Sequence, residues 1–217
     1  MTTWEQEIEQ DLAWREAEMA SLKLLLVSSS KGSDRHKALL RACSAMLYAH
    51  YEGFCKFCWT LLLGTIEAQA HLRQDLCEPI ARRAMSADFK RLRGDTSDKN
   101  LWQFATRDFA TALKLAATFA EGVSTDSNLK PALAKQINES VGLVCGTFDT
   151  HGTELGQLVG RRNEIAHGEK LEIADVTQFQ QFEHAAVLAM HELAIAVLQC
   201  LEQKTYLAAL HDPAALI

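Results

Sequence analysis

The sequence predicts an all-α protein: one helical bundle of about six to seven helices, a single domain over residues 1–217 with a tail after about residue 206. Three observations predict it. Apolar residues recur at three- and four-residue steps through nearly the whole chain, the period of a helix with one buried face. Three prolines and 11 glycines are too few for a turn-dense β protein or a long disordered linker. Hydrophobic residues make up 48% and charged residues 23% of 217 positions, enough apolar surface for one large core.

The elements follow in order. Residues from about Thr3 to Val27 form a first amphipathic helix, stopped by the loop Ser28-Ser29-Ser30-Lys31-Gly32-Ser33. A long second helix runs from about Asp34 to His71, with the apolar stripe Leu40, Cys43, Leu47, Tyr51, Phe54, Cys58 and Leu62. A third begins near Pro79, a residue suited to the first turn, and carries Arg82, Arg83, Lys90, Arg91 and Arg93. After the polar loop Gly94 to Asn100, a fourth helix covers roughly Leu101 to Glu121, and Gly122 to Asn128 is a turn. A short helix starts around Pro131 and runs towards Gly142. The next spans Gly152 to His167, stopped by Gly168 in the favoured C-cap position. The last opens at Asp175, with Gln178 completing a capping box, and buries Phe179, Phe182, Ala186, Met190, Leu193, Val197 and Leu201. One core is expected to join this helix to the long second one.

Composition excludes several classes. A formal net charge of −6 and a pI near 5.8 argue against coating long nucleic acid, which needs a broad basic surface. They do not exclude a local cationic pocket for a few nucleotides. The first residues, Met1-Thr2-Thr3-Trp4-Glu5, are acidic where a signal peptide would be basic and then apolar. The most apolar window, Ala185 to Leu201, carries His191 and Glu192 in its middle, which argues against a membrane span. A cytoplasmic protein is expected. The single CxxC pair, Cys55 and Cys58, lies in an apolar helix with no second ligand pair, so buried free thiols are expected rather than zinc.

One helix breaks its own pattern. From Gly152 to His167, the row Glu154, Gln157, Arg161 and Glu164 is polar and should face water. The row Leu155, Leu158, Arg162 and Ile165 places Arg162 where an apolar side chain belongs. Burying a guanidinium is costly without an anion beside it, so Arg162 needs a carboxylate of this chain or a phosphate. Glu52, set in the apolar row Ala45, Tyr48, Glu52, Cys55 and Trp59 of the second helix, is the candidate carboxylate. A third row, Gly156, Gly160, Asn163 and His167, carries two glycines that let another backbone approach, with a polar pair at its end.

Arg162-Asn163-Glu164-Ile165-Ala166-His167 resembles the Arg-x4-His signature of HEPN-domain ribonucleases. The wider stretch ELGQLVGRRNEIAHGE resembles the motif helix of their MAE and RiboL-PSP-like branches. Leu39 to Leu63 resembles the family's long early helix, and Ser127-Asn128-Leu129 with the helix after it fits as well. The resemblance implies a helical bundle, usually dimeric, that cleaves RNA without a metal or other cofactor. It assigns Arg162 and His167 to the motif's arginine and histidine, Asn163 to its polar position and Glu52 to the acidic residue of the early helix. Relatives silenced by nucleotidylation carry a tyrosine two residues past the histidine; this chain has Glu169 there.

RNA can be cut through its own 2'-hydroxyl, leaving a cyclic phosphate and a 5'-hydroxyl. Histidine suits the proton transfer near neutral pH, arginine the developing phosphate charge, and Asn163 can orient His167 or a phosphate oxygen. Five residues rotate a helix by about 140°, so Arg162 and His167 do not share a face. Either the helix loosens before Gly168, or the site is built from two protomers across a two-fold axis. The glycine row favours two protomers.

His184 and His191 read as half-buried helix histidines rather than a metal pair, and the Arg82–Arg93 cluster as a solvated helix face. The reading is an RNA endonuclease, the effector of a toxin–antitoxin or anti-phage system, with an antitoxin or regulatory protein as partner. Its rivals are a non-catalytic HEPN-like domain that binds a partner or nucleotide, and a generic helical interaction bundle.

Overall fold

The computed structural model describes residues 2–120, 122–169 and 175–208. Ten α-helical segments and no strand occur among them: α1 (Thr3–Val27), α2 (Asp34–Ala68), α3 (Glu78–Ala84), α4 (Ser86–Gly94), α5 (Asp98–Gln103), α6 (Phe109–Leu113), α7 (Pro131–Ser140), α8 (Thr147–Thr150), α9 (Gly152–Ala166) and α10 (Val176–Gln203). A π-helical turn, Phe104–Asp108, joins α5 to α6, and a 3₁₀ turn covers Arg73–Asp75. The all-α expectation is met. The tail expected after about residue 206 lies almost wholly outside the described residues. Leu207 and Ala208 are tied down: Leu207 bridges to Leu76, and the Ala208 N–H donates to the Asp75 carbonyl at 2.9 Å.

The chain divides into two compact units. The first comprises Met1–Cys58, Ser124–Gln136 and Cys145–Ala196; the second comprises Trp59–Val123, Ile137–Val144 and Val197–Ile217.

In the first unit most of the buried side chains come from α1, the first two thirds of α2, α9 and most of α10, with Leu129, Ala134, Cys145 and Phe148 added from the segments between α2 and α9. Leu40, Cys43, Leu47, Tyr51 and Phe54 of the α2 stripe are all buried, as are Phe179, Phe182, Ala186, Met190 and Leu193 of α10. By length and composition α10 could cross a membrane, but in this fold its apolar face is core. α1 starts where the Thr2 side chain and Glu5 form a reciprocal capping box. It is fastened by Lys23 to Glu183 of α10 at 2.8 Å, and its Trp14 ring meets His50 of α2 edge-on. Between α1, α2 and α10 lies a cavity of about 210 Å³ whose lining cations, Arg15 and Lys23, are already engaged by Asp11 and Glu183.

In the second unit Trp59 donates to the Asn138 side chain at 2.8 Å, and buried Tyr206 donates to Gln69 at 2.7 Å. The third and fourth helices of the sequence reading differ here. The third is split at Met85, whose φ of −97° and ψ of 9° leave the helical region. The fourth begins earlier, at Asp98 behind the Ser97 cap, and ends at Leu113. Its expected continuation is extended instead: Arg73 donates to the Leu115 carbonyl and Ala117 to the His71 carbonyl, at 3.0 and 2.9 Å. These pairings satisfy the backbone that a longer helix would have satisfied locally.

Candidate active site

All of the candidate residues lie in the first unit. α9 delivers three of them. It is regular to Ala166, and His167 is its C-cap. Glu169 donates to the Glu164 carbonyl and Gly168, at φ +76°, to the Ile165 carbonyl, the paired bonds of a Schellman stop. Glycine alone adopts that φ cheaply, which fixes where the motif helix ends.

Arg162 is half-buried, as its place in the Leu155–Leu158 row requires, but its partner is not Glu52. Its guanidinium lies over the Tyr48 ring, 4.5 Å from the centroid, and its Nη1 donates to Asn163 Oδ1 at 2.9 Å. Asn163 Nδ2 donates in turn to Asn128 Oδ1 at 3.1 Å. Asn163 therefore orients the arginine, not the histidine. Among the described residues, no carboxylate neutralises Arg162, and the rest of its fork is left for an anion.

Tyr48 and Asn128 were not singled out by the sequence pattern. Tyr48 is 1% exposed, and its hydroxyl accepts the Leu129 N–H at 2.8 Å. Burial pushes that hydroxyl up to about 12, with Glu52 adding to the rise and Arg162 opposing it. The phenol thus feels both charges. Glu52, one turn along α2 from Tyr48, keeps Oε1 buried and without a hydrogen-bond partner. Asn128 is presented by a loop in which Asp126 and Ser127 both have positive φ, 53° and 52°. Such backbone costs about 1 kcal/mol or more per residue and persists where surroundings enforce it. Here Ser124 Oγ donates to Asp126, and Asn128 N to the Thr125 carbonyl.

His167 stands apart. It is exposed, and its imidazole makes no hydrogen bond among the described residues. Its backbone N–H still donates to the Asn163 carbonyl at 2.9 Å, while its φ of −82° and ψ of 3° end the helix there. On ideal helix geometry five residues rotate by about 140°, which puts Arg162 and His167 on different faces of α9. Gly156 and Gly160 have nothing within 4 Å of where a Cβ would stand, so their part of the row is open, whereas Asn163 in the same row is taken up by Asn128 and Arg162. Arg161 is half-buried rather than fully solvated, and pairs with Glu164 at 3.2 Å.

A second carboxylate shapes the site at a distance. Glu192 of α10 accepts the N–H groups of Gly146 and Thr147 at 2.8 and 2.7 Å, fixing the start of α8 just ahead of the motif helix. Burial pulls its carboxyl upward, but those donors outweigh it and hold the group below its ordinary value.

Nothing in this neighbourhood gathers metal ligands: among the described residues no three of His, Cys, Asp and Glu are grouped to hold an ion. His184 meets His151 edge to face at 5.6 Å, and His191 pairs with Glu16 at 3.0 Å. Cys55 and Cys58 are free and buried, and burial holds both thiols protonated.

An all-α fold whose motif helix closes on Arg162-x4-His167 is the arrangement of the HEPN class. The family model described as HEPN_MAE_28990-like HEPN matches residues 4–206, and the chain belongs to that family. Membership brings with it a ribonuclease-like or nucleotide-related function. No curated protein and no solved structure matches the chain.

Proposed function

We propose that the protein is a metal-independent endoribonuclease whose site is assembled from two copies of the chain. The observation that carries this reading is the state of Arg162: a half-buried guanidinium, clamped by a ring and an amide, with no carboxylate among the described residues to quench it. A structural ion pair would have used Glu52. A cation oriented in advance and left uncompensated is what a transferring phosphoryl group requires.

In the reaction the substrate's 2'-oxygen forms a bond to phosphorus as the bond from phosphorus to the 5'-oxygen breaks. One proton leaves the 2'-hydroxyl and one must reach the departing 5'-oxygen. Two α9 helices meeting along the open Gly156–Gly160 row supply two His167 imidazoles, one to accept and one to donate. Arg162 steadies the charge on the non-bridging oxygens, and Asn163 holds the arginine in place.

His167, exposed and without a hydrogen-bond partner among the described residues, favours a second reading, a non-catalytic HEPN-like domain that binds a partner or nucleotide. Incubating purified protein with single-stranded RNA in EDTA separates the two, with wild type and His167→Ala compared. Cleavage by wild type alone, leaving 2',3'-cyclic phosphate ends, supports the nuclease; intact RNA with both overturns it. The wider proposal is an effector of a toxin–antitoxin or anti-phage system held by an antitoxin or other regulatory protein. It predicts growth arrest on induction of wild type and normal growth with His167→Ala at equal expression.

A further inference from the structure

The second unit carries a feature that the motif does not use. Between Ser86 and Lys114, six cationic side chains (Lys90, Arg91, Arg93, Lys99, Arg107 and Lys114) face four aspartates, in a chain of net charge −6. All six cations are exposed. Three of the aspartates are engaged locally: Asp88 by Arg73 at 2.8 Å and by Arg91 of the patch itself at 3.6 Å, Asp95 by the Ser97 N–H at 3.0 Å, and Asp108 by Gln103 at 3.3 Å. Arg91 and Arg93 in the last turn of α4 suit the negative end of its dipole. Lys99 does not have that excuse, because it sits in the first turn of α5, the positive end.

Beside these charges stands Trp102, 73% exposed. Its exposure follows from how the corner packs. Phe89 of α4 lies 6.2 Å from Phe104, and the π-turn places Phe109 5.8 Å from Phe104. Phe104 therefore faces inward, and two residues of helix, about 200° of rotation, turn Trp102 to the opposite side. Lys99, three residues before Trp102, shares that outer face. Such π-turns frequently mark functional sites. A large ring held outward, flanked by cations on an acidic protein, complements a polyanion whose units have flat π-faces.

We propose that the α4–α6 corner is a platform for single-stranded RNA, on which a base stacks against Trp102 while Lys99 takes a flanking phosphate. The proposal rests on the reading of the protein as one that acts on RNA, and names where the second unit holds that RNA.

The test uses the full-length His167→Ala protein, which does not consume its ligand, and a fluorescein-labelled 12-nucleotide oligouridylate read by anisotropy. Trp102→Leu keeps an apolar side chain but removes the stacking face, and should weaken binding by about 5- to 150-fold. Trp102→Phe restores a ring and should recover most of that loss. Lys99→Ala should flatten the dependence of log affinity on log salt by about 0.7. Circular dichroism should be unchanged, since Trp102 contributes little to the core. No binding by the parent, or equal affinity of Trp102→Leu and parent, overturns the platform. So does a Trp102→Leu protein that changes oligomeric state without RNA, which would make the corner a protein-docking surface. Trp102-dependent binding alongside a wild type that cleaves nothing keeps the platform and removes the nuclease; the converse removes only the platform.

Discussion

The Arg162 guanidinium lies face-on over Tyr48, 4.5 Å from the ring centroid, while the Tyr48 hydroxyl accepts the buried Leu129 N–H at 2.8 Å. One side chain thus supports the cation from below and anchors the Ser124–Lys130 loop that presents Asn128. Two substitutions separate these roles. Tyr48→Phe keeps the ring but strands a buried donor, and should cost about 1–3 kcal/mol in urea unfolding while leaving the cleavage rate of folded protein largely intact. Tyr48→Leu removes the platform as well, worth about 0.5–2 kcal/mol for a partly desolvated cation, and should also lower the cleavage rate. A Tyr48→Phe protein as stable as wild type would show that the loop is held by something else.

Glu192 predicts an acid-sensitive link. Its carboxyl is held below the ordinary value of 4.5, so as pH falls the unfolded chain binds the proton first. The stabilisation is present above about pH 4.5 and is lost as pH drops through the lower folded value. Glu192→Gln should reduce stability at pH 7 by about 1 kcal/mol, since a neutral amide is a weaker acceptor for the Gly146 and Thr147 N–H groups. The gap to wild type should narrow between pH 4.5 and 3. A gap that stays constant in urea midpoints across that range would remove Glu192 as its source.

Much of the fold was legible because its signals are local. α1 runs from Thr3 to Val27 and α9 ends at Ala166 ahead of Gly168, each marked by a cap written in adjacent residues. The overlong fourth helix was not legible as an error, since what ends it is pairing of residues 115–117 with 71–73, some 40 positions away. The site divides the same way. Arg162, Asn163 and His167 stand out as polar residues in a helical pattern. Tyr48 reads as ordinary core, and no periodicity reveals two consecutive left-handed residues before Asn128. Charge pattern paired Arg162 with Glu52 because pattern matches carboxylates to cations, whereas the fold placed an aromatic face beneath the cation.

Gly160 separates stability from assembly. An added Cβ meets nothing within 4 Å, so Gly160→Ala should stabilise the isolated chain by about 0.5–1 kcal/mol through the helix backbone alone. Gly160→Leu should likewise be tolerated by one chain but block the approach of a second α9. Sedimentation should show a weakened dimer, and cleavage should fall with the dimer fraction. A monomeric Gly160→Leu protein that cleaves at the wild-type rate would refute the composite site.

The catalytic substitutions follow from how each side chain is held. His167 is exposed and caps its helix through backbone groups, so His167→Ala should leave the thermal midpoint unchanged. Loss of the proton-transfer group should lower cleavage by about 10²–10⁴-fold. Arg162→Ala removes the phosphate-facing cation, a loss of about 10²–10³-fold, and also empties the space over Tyr48, so a modest fall in stability should accompany it. Arg162→Lys keeps the charge but not the planar fork that meets both the ring and Asn163, and should behave more like alanine than like wild type. Arg161→Ala is the control: it pairs with Glu164, and a part-exposed pair of this kind contributes about 0–1 kcal/mol, so activity should be retained. With no grouped set of ligands among the described residues, EDTA should leave the wild-type rate unchanged. Equal losses from Arg161→Ala and Arg162→Ala would mean that the clamp on Tyr48 does not select the working arginine. Full cleavage by His167→Ala would place the proton transfer elsewhere in the chain.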